Sequence, residues 1–456
     1  MAGIDRTRLT ALLDRERAAF ALARPRSQAA AADAADHLVG GVPMTWMAKW
    51  AGGFPIYLDR AAGSRVTDVD GHTYVDFALG DTGAMAGHSP PATVAAVRAR
   101  LEDRGGATTM LPTEDAAWVA RELARRFGLP RWSFALSATD ANRWALRLAR
   151  LITGRPLVAC FAYSYHGTVD ETFVVRSADG STTSRAGNVA PAVDPAVTTR
   201  ALEWNDLASV EAALADRQVA VLITEPALTN IGIVLPEAGF LEGLRDVCDR
   251  TGTLLLIDET HTLSAGPGGC TQAWSLRPDL VTLGKSFGGG VPIGAYGLSA
   301  AVADRLAARV AAEGADLVDV GGVGGTLAGN ALSMAAARAT LADVLTPSAF
   351  AAMIERATRF TIGVQEVLDH HDLPWSVVQL GARAEYRFAR PAPRTGTESA
   401  AAGDDAVEEL LHLALANRGI LLTPFHNMAL MAPTTTDADV DLHTEVFAAV
   451  LAELVG

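Results

Sequence analysis

A chain of 456 residues, 49% hydrophobic and 20% charged, is long enough to bury a large core in more than one domain and has globular rather than disordered composition. Its net charge of −14 argues against a nucleic-acid or anionic-membrane surface, and no nucleic-acid partner is expected. The scattered Cys160, Cys248 and Cys270 form neither a disulfide framework nor a zinc pattern, and no metal is expected; His370-His371 reads as a helix end. No apolar run reaches the about 18 residues of a spanning helix and no apolar signal core opens the chain, so no membrane association and a cytoplasmic location are expected.

In chain order, the spacing predicts a helix over 4–37. A Gly- and Pro-rich loop follows, carrying Trp46 and Trp50, then short strands over 56–58 and 65–68 and a turn at Asp70-Gly71. From about residue 114 helices over 114–127, 140–152, 207–216 and 240–251 alternate with short apolar runs over 133–136, 157–161, 219–224, 253–257 and 280–283. Runs apolar throughout are strands covered on both faces, and the alternation argues for an α/β domain with a mostly parallel sheet. Loops are expected over 179–195 and 391–404, and helix, strand and helix over the last 50 residues.

Ligands of such sheets bind beyond the carboxyl ends of the strands, so the residues after each run carry the chemical interest. Ser137-Ala138-Thr139 opens a helix, where free backbone N–H groups and hydroxyls suit a phosphate; simple N-capping explains the same pattern. Tyr163-Ser164-Tyr165-His166-Gly167 offers an aromatic that could stack on a flat ring, although aromatic residues at strand ends are usually core. Glu225 and the pair Asp258-Glu259 end two wholly apolar strands, where a carboxylate is costly unless paired with a protonated ring nitrogen, a helix terminus or an arginine.

Of the 38 basic residues only Lys49 and Lys285 are lysines, and only lysine can act as an amine nucleophile. Lys285 follows an apolar strand and stands between Gly284 and Gly288-Gly289-Gly290, a setting that brings a partly desolvated amine close to a ligand. Gly-Lys-Ser is not a nucleotide loop, because Asp279 stands where the first glycine is required. Lys49 lies in a loop between tryptophans. Gly321-Gly322-Val323-Gly324-Gly325-Thr326 reads as a second phosphate cradle or a linker. Arg383 and Arg387 could bind a carboxylate, but with Glu385 between them on the same strand face they read rather as a surface ion-pair ladder.

Together these segments resemble the class III aminotransferases, pyridoxal phosphate (PLP) enzymes of fold type I, and within them the branch of glutamate-1-semialdehyde aminomutase. The resemblance rests on Thr282-Leu283-Gly284-Lys285, Gly288 through Gly297, and Gly325-Thr326-Leu327-Ala328-Gly329-Asn330, and extends roughly over residues 40–450. It implies an aspartate-aminotransferase-like α/β fold with a large PLP domain over 81–345. A smaller α+β domain would come from an N-terminal segment over 1–80 and a C-terminal one over 346–456.

The resemblance further implies that Lys285 forms the Schiff base and Asp258 holds the pyridinium nitrogen. Ala138 and Thr139 would bind the phosphate, Tyr165 would stack on the ring, and Glu225 would lie near the ring hydroxyl. Thr326 would reach the phosphate of a neighbouring subunit in a homodimer with shared active sites. Trp46, Trp50, Phe425 and His426 are the candidate substrate pocket. The chain departs from the family pattern at Ser137-Ala138-Thr139-Asp140-Ala141, at Thr260-His261-Thr262, and at Thr423-Pro424-Phe425-His426-Asn427, which lacks the arginine many ω-amino-acid transaminases use for a carboxylate. The activity first expected is ping-pong transfer of an amino group from an amino acid or primary amine, a β-amino acid among them, to an oxo acceptor. The alternatives are an aminomutase, a racemase, and a catalytically silent binding module.

Overall fold

The structure, a computed structural model, describes residues 4–456. They form two compact units, one built from the chain up to Pro90 with Ala351–Pro393 and Ala402–Gly456, the other from Pro91–Phe350 with Arg394–Ala401.

The second unit is organised by a seven-stranded sheet. Its strands in chain order are β1 (Arg131–Ala135), β2 (Leu157–Phe161), β3 (Thr199–Leu202), β4 (Val219–Thr224), β5 (Leu254–Asp258), β6 (Leu280–Gly284) and β7 (Gly294–Leu298). They lie side by side as β1-β7-β6-β5-β4-β2-β3, and β7 alone runs against the rest. Every residue of β4, β5 and β6 is buried, as their continuous apolar runs require of strands covered on both faces. Helix α1 (Ala138–Thr153) packs Ala141, Ala145, Leu148, Ala149 and Ile152 into the core beneath the sheet. Helix α2 (Phe240–Thr251) leads into β5 through Gly252 in the left-handed conformation, the usual glycine end of a helix. The result is an α/β unit around a mixed sheet that is mostly parallel.

Strands β3 and β7 were not expected from the sequence. Gly294-Ala295-Tyr296-Gly297 has little strand propensity, and β7 persists because it is hydrogen-bonded on both sides. The expected loop over 179–195 contains a strand at Thr182–Ser184, and that over 391–404 a helix at Gly396–Ala401.

In the first unit the expected helix over 4–37 is two helices, Arg6–Ala23 and Pro25–Ala35. Pro25 disfavours helical geometry at the residue before it, and Arg24 sits at φ −126°, ψ 53°. The buried Arg24 guanidinium bridges the break to Tyr74, Asn417 and the carbonyl of Ala416. The predicted turn at Asp70-Gly71 joins Arg65–Asp68 to Thr73–Asp76, while the strand expected over 56–58 runs from Leu58 to Ala62.

Arg383, Glu385 and Arg387 are not a surface ladder. Their strand, Arg383–Arg387, is the middle one of three and is buried along its length. Arg383 donates to Thr82 Oγ1 at 2.6 Å, Arg387 stands 3.6 Å from Glu408, and His426 Nδ1 lies 3.4 Å from Glu385. Pattern reading assigned alternate residues to solvent, but strands on both flanks and packing on both faces leave no solvent side.

Among the described residues no helix is long and apolar enough to cross a membrane, and no group of three or more His, Cys, Asp or Glu could hold a metal ion. All three cysteines are buried free thiols.

Candidate active site

Strand register brings the chemistry to one edge of the sheet. Thr224 pairs with Ile257, so Glu225 and Asp258 follow side by side, and Asp258 itself pairs with Thr282, three residues before Lys285.

Asp258 is buried. Its Oδ2 accepts from Asn142 Nδ2 at 2.8 Å and lies 3.0 Å from His166 Nδ1, while Oδ1 accepts from the Thr260 N–H at 3.0 Å. Burial works to raise its proton affinity, but the contacts of His166, Thr260 and Asn142 outweigh it and hold the carboxyl below its ordinary value. A carboxylate kept ionised in a dry site attracts a protonated ring nitrogen. Asn142 also donates to the His166 carbonyl at 3.0 Å, so helix α1 and the loop after β2 are clamped around this carboxylate.

Neighbouring Glu259 serves another purpose. It turns away to accept from Thr262 and from the N–H groups of Cys270 and Thr271, fixing the loop and the short helix Gly269–Ala273. Glu225 accepts from the Tyr165 N–H at 3.4 Å and from the Thr229 hydroxyl. Burial first, with the nearby Asp258 charge, pushes its carboxyl up to about 6, against the opposing effects of His166 and the two hydrogen bonds. Tyr165 is half-buried and meets Phe173 edge-on, with centroids 6.2 Å apart.

Lys285 leaves β6 in the left-handed conformation at φ 57°, uncommon for a residue with a side chain and a form of strain concentrated at functional sites. Its Nζ is 2.6 Å from His261 Nε2. Gly284 before it is required by space, since a Cβ there would stand 2.8 Å from the Ala138 nitrogen and 2.6 Å from the Ala138 Cβ. Close approach thus sets the lysine beside the first turn of α1. There Ser137 caps the helix by accepting from the Asp140 N–H, and Thr139 Oγ1 accepts from the Thr168 N–H. Gly167, at φ 79°, leaves room for Thr139 that a Cβ would occupy at 2.1 Å.

These features fit a PLP-sized group: a helix start for a phosphate, an ionised buried carboxylate for a ring nitrogen, and an amine for an aldehyde. His166 Nε2 and Asn142 Oδ1 are buried without a hydrogen-bond partner among the described residues, polar capacity of the kind a bound ligand takes up. Thr326 is exposed, on a turn of the loop before the helix Ala331–Ala339.

Trp46, Trp50, Phe425 and His426 belong to the first unit. Trp46 meets Phe425 edge-on at 5.5 Å, Phe425 meets His426 at 5.0 Å, and Trp50 lines a cavity of about 280 Å³ with Lys49, His412 and Glu408. Sequence reasoning assigned no role to Asn142 and His166. Their one signal was polarity where apolar residues were due, an asparagine inside a helix and a histidine after a buried strand.

The fold and this site define a PLP enzyme of fold type I. The family described as Aminotransferase class-III matches residues 46–451. The chain is 35% identical over 431 residues to the glutamate-1-semialdehyde 2,1-aminomutase of Chloroflexus aggregans, covering 91% of this chain and 95% of that one. Among solved structures it is similar to a glutamate-1-semialdehyde-aminomutase from Pseudomonas aeruginosa PAO1, a lysine-to-alanine variant in complex with PMP. That likeness has TM-score 0.96 and 48% identity, over 99% of this chain and 100% of that one. An ω-transaminase from Sphaerobacter thermophilus is similar at TM-score 0.84 and 27% identity, over 94% and 98% of the two chains. The protein belongs to the class III aminotransferase family, whose cofactor is pyridoxal phosphate.

Proposed function

We propose that the chain exchanges an amino and an oxo group within one small substrate, as an aminomutase of the glutamate-1-semialdehyde type. Intermolecular transfer came first from the motifs alone; the relatives support reversing that order, because aminomutases match at 35% and 48% identity and the ω-transaminase at 27%. The observation that carries a lysine-based amino exchange is the buried Asp258, clamped by Asn142 and His166, in register with the strand that delivers Lys285.

Bound, the cofactor supplies a carbon that captures amines and a ring that accepts the electron pair left by a departing proton. The chain's residues do the rest. Ala138 and Thr139, at the start of α1, bind the phosphate through backbone N–H groups and a hydroxyl. Asp258 would accept a hydrogen bond from the ring nitrogen and favour its protonated form. Tyr165 covers the ring, and Glu225 holds the Tyr165 backbone in place. Lys285 would hold the cofactor through its amine, and its Nζ would serve to remove and return the proton that moves. That a lysine-to-alanine variant of the Pseudomonas relative was captured with PMP supports such a role for a lysine. We also propose a homodimer in which Thr326 reaches the partner's phosphate; the exposed Val318, Val320 and Leu327 beside it support a covered surface.

The test supplies glutamate 1-semialdehyde to the purified holoenzyme with no other amine or oxo acid. Conversion to the isomer with the amino group on carbon 1, at a rate unchanged by added donor, is expected. Turnover that requires a separate donor and releases its oxo product would establish intermolecular transfer instead.

A further inference from the structure

A substrate that carries a carboxylate needs a cation to receive it, the more so near Asp258 and Glu225, whose carboxyl groups would repel it. Residues 423–427 offer no arginine, and Arg383 and Arg387 are taken: one donates to Thr82, the other stands 3.6 Å from Glu408. The other buried arginines are paired as well, Arg24 with Tyr74 and Asn417, Arg126 with Glu122, and Arg245 with Asp279. Arg185 differs from all of these. It is half-buried, yet among the described residues its guanidinium makes no hydrogen bond and no ion pair. Burial works to lower its proton affinity, opposed by Tyr163 and Tyr165, but arginine keeps its charge.

Local structure sets where that charge stands. The strands Val174–Arg176 and Thr182–Ser184 pair as a hairpin, and Arg185 follows the second directly. Its N–H donates to the Phe173 carbonyl at 2.8 Å, and the Phe173 ring is the one that meets Tyr165 edge-on. The guanidinium carbon lies 5.9 Å from the centroid of the Tyr163 ring. Phe173 and Tyr163 thus hold an unpaired cation close to Tyr165, the residue proposed to cover the cofactor ring, and all four belong to the second unit.

We propose that Arg185 receives the carboxylate of the substrate through paired N–H···O bonds and so selects an amino acid over a neutral amine. The planar fork of a guanidinium matches a carboxylate in both geometry and charge. This inference deepens the mutase reading and rests on it.

The test uses the holoenzyme and two probes: the isomer with its amino group on carbon 1, and the methyl ester of that compound, which keeps the amine and loses the negative charge. The concentration of each that half-saturates the change in cofactor absorbance is measured in wild type, Arg185→Gln and Arg185→Lys, together with the unfolding midpoint. Wild type is expected to favour the acid. In Arg185→Gln that preference should fall about tenfold to a hundredfold, the range for hydrogen bonds to a charged group. In Arg185→Lys, which keeps the charge without the fork, it should fall by less. An undiminished preference in Arg185→Gln, or a loss shared equally by acid and ester, would overturn the proposal. So would a wild type that responds to both compounds alike. None of those results touches the mutase reading, because the wild type would still respond to the acid. A wild type whose absorbance neither compound changes would overturn that reading and the proposal with it.

Discussion

Lys49 and Lys285 are the same side chain in two settings. Lys49 ends a short turn, Thr45–Lys49, is exposed, and holds its ammonium 5.2 Å from the Phe425 ring centroid. Such a contact stabilises a permanent cation, and an exposed one contributes only about 0.5–1 kcal/mol. Lys285 ends a wholly buried strand, adopts a strained backbone, and meets an imidazole rather than a ring face. Position therefore decides the chemistry. Lys49 lies on an exposed turn against a ring face, whereas Lys285 ends a buried strand in the place for which we propose a role that arginine could not fill.

The largest effect that separates the two settings is loss of the Lys285 amine. Lys285→Ala is expected to remove the absorption of lysine-bound cofactor and to lower turnover by about 10⁴-fold. Next comes the carboxylate in register with it. Asp258→Asn keeps the shape but removes the charge that Asn142 and His166 converge on, and turnover should fall about 10²- to 10³-fold, the usual size for one preorganised electrostatic group. Both are read by steady-state kinetics, with cofactor content measured by absorbance.

A smaller effect appears in stability. Glu225 has its carboxyl raised from 4.5 to about 6, so the folded chain binds a proton there that the unfolded chain has released. Stability from this group is fully present below pH 4.5 and is lost as pH rises through about 6, by about 2 kcal/mol in all. Urea unfolding across that range should show the decline in wild type and its loss in Glu225→Gln. The smallest effect belongs to the other lysine. Lys49→Arg keeps a cation near Phe425 and should leave turnover within about twofold and stability within about 0.5 kcal/mol.

Much of the site was legible because its parts sit at strand ends. An apolar run followed by Asp258, and another followed by Gly284-Lys285, carry their position in the sequence itself. The clamp around Asp258 did not, because Asn142 and His166 lie 116 and 92 residues away and only the sheet order unites them. The fold followed the same division. Strands with continuous apolar runs were readable, whereas β7 depends on two neighbours and the buried Arg383–Arg387 looked polar enough for a surface. The first helix had its period right and its length wrong, since Pro25 acts locally within an otherwise helical pattern.

The measurement that bears most directly on Lys285 is borohydride reduction of the holoenzyme followed by digestion and peptide mass spectrometry. Reduction fixes the cofactor to whichever amine carries it, and only two lysines offer one. A pyridoxyl group on the peptide containing Lys285, with the Lys49 peptide unmodified, is the expected result. A pyridoxyl group on Lys49, or on neither lysine, would contradict it.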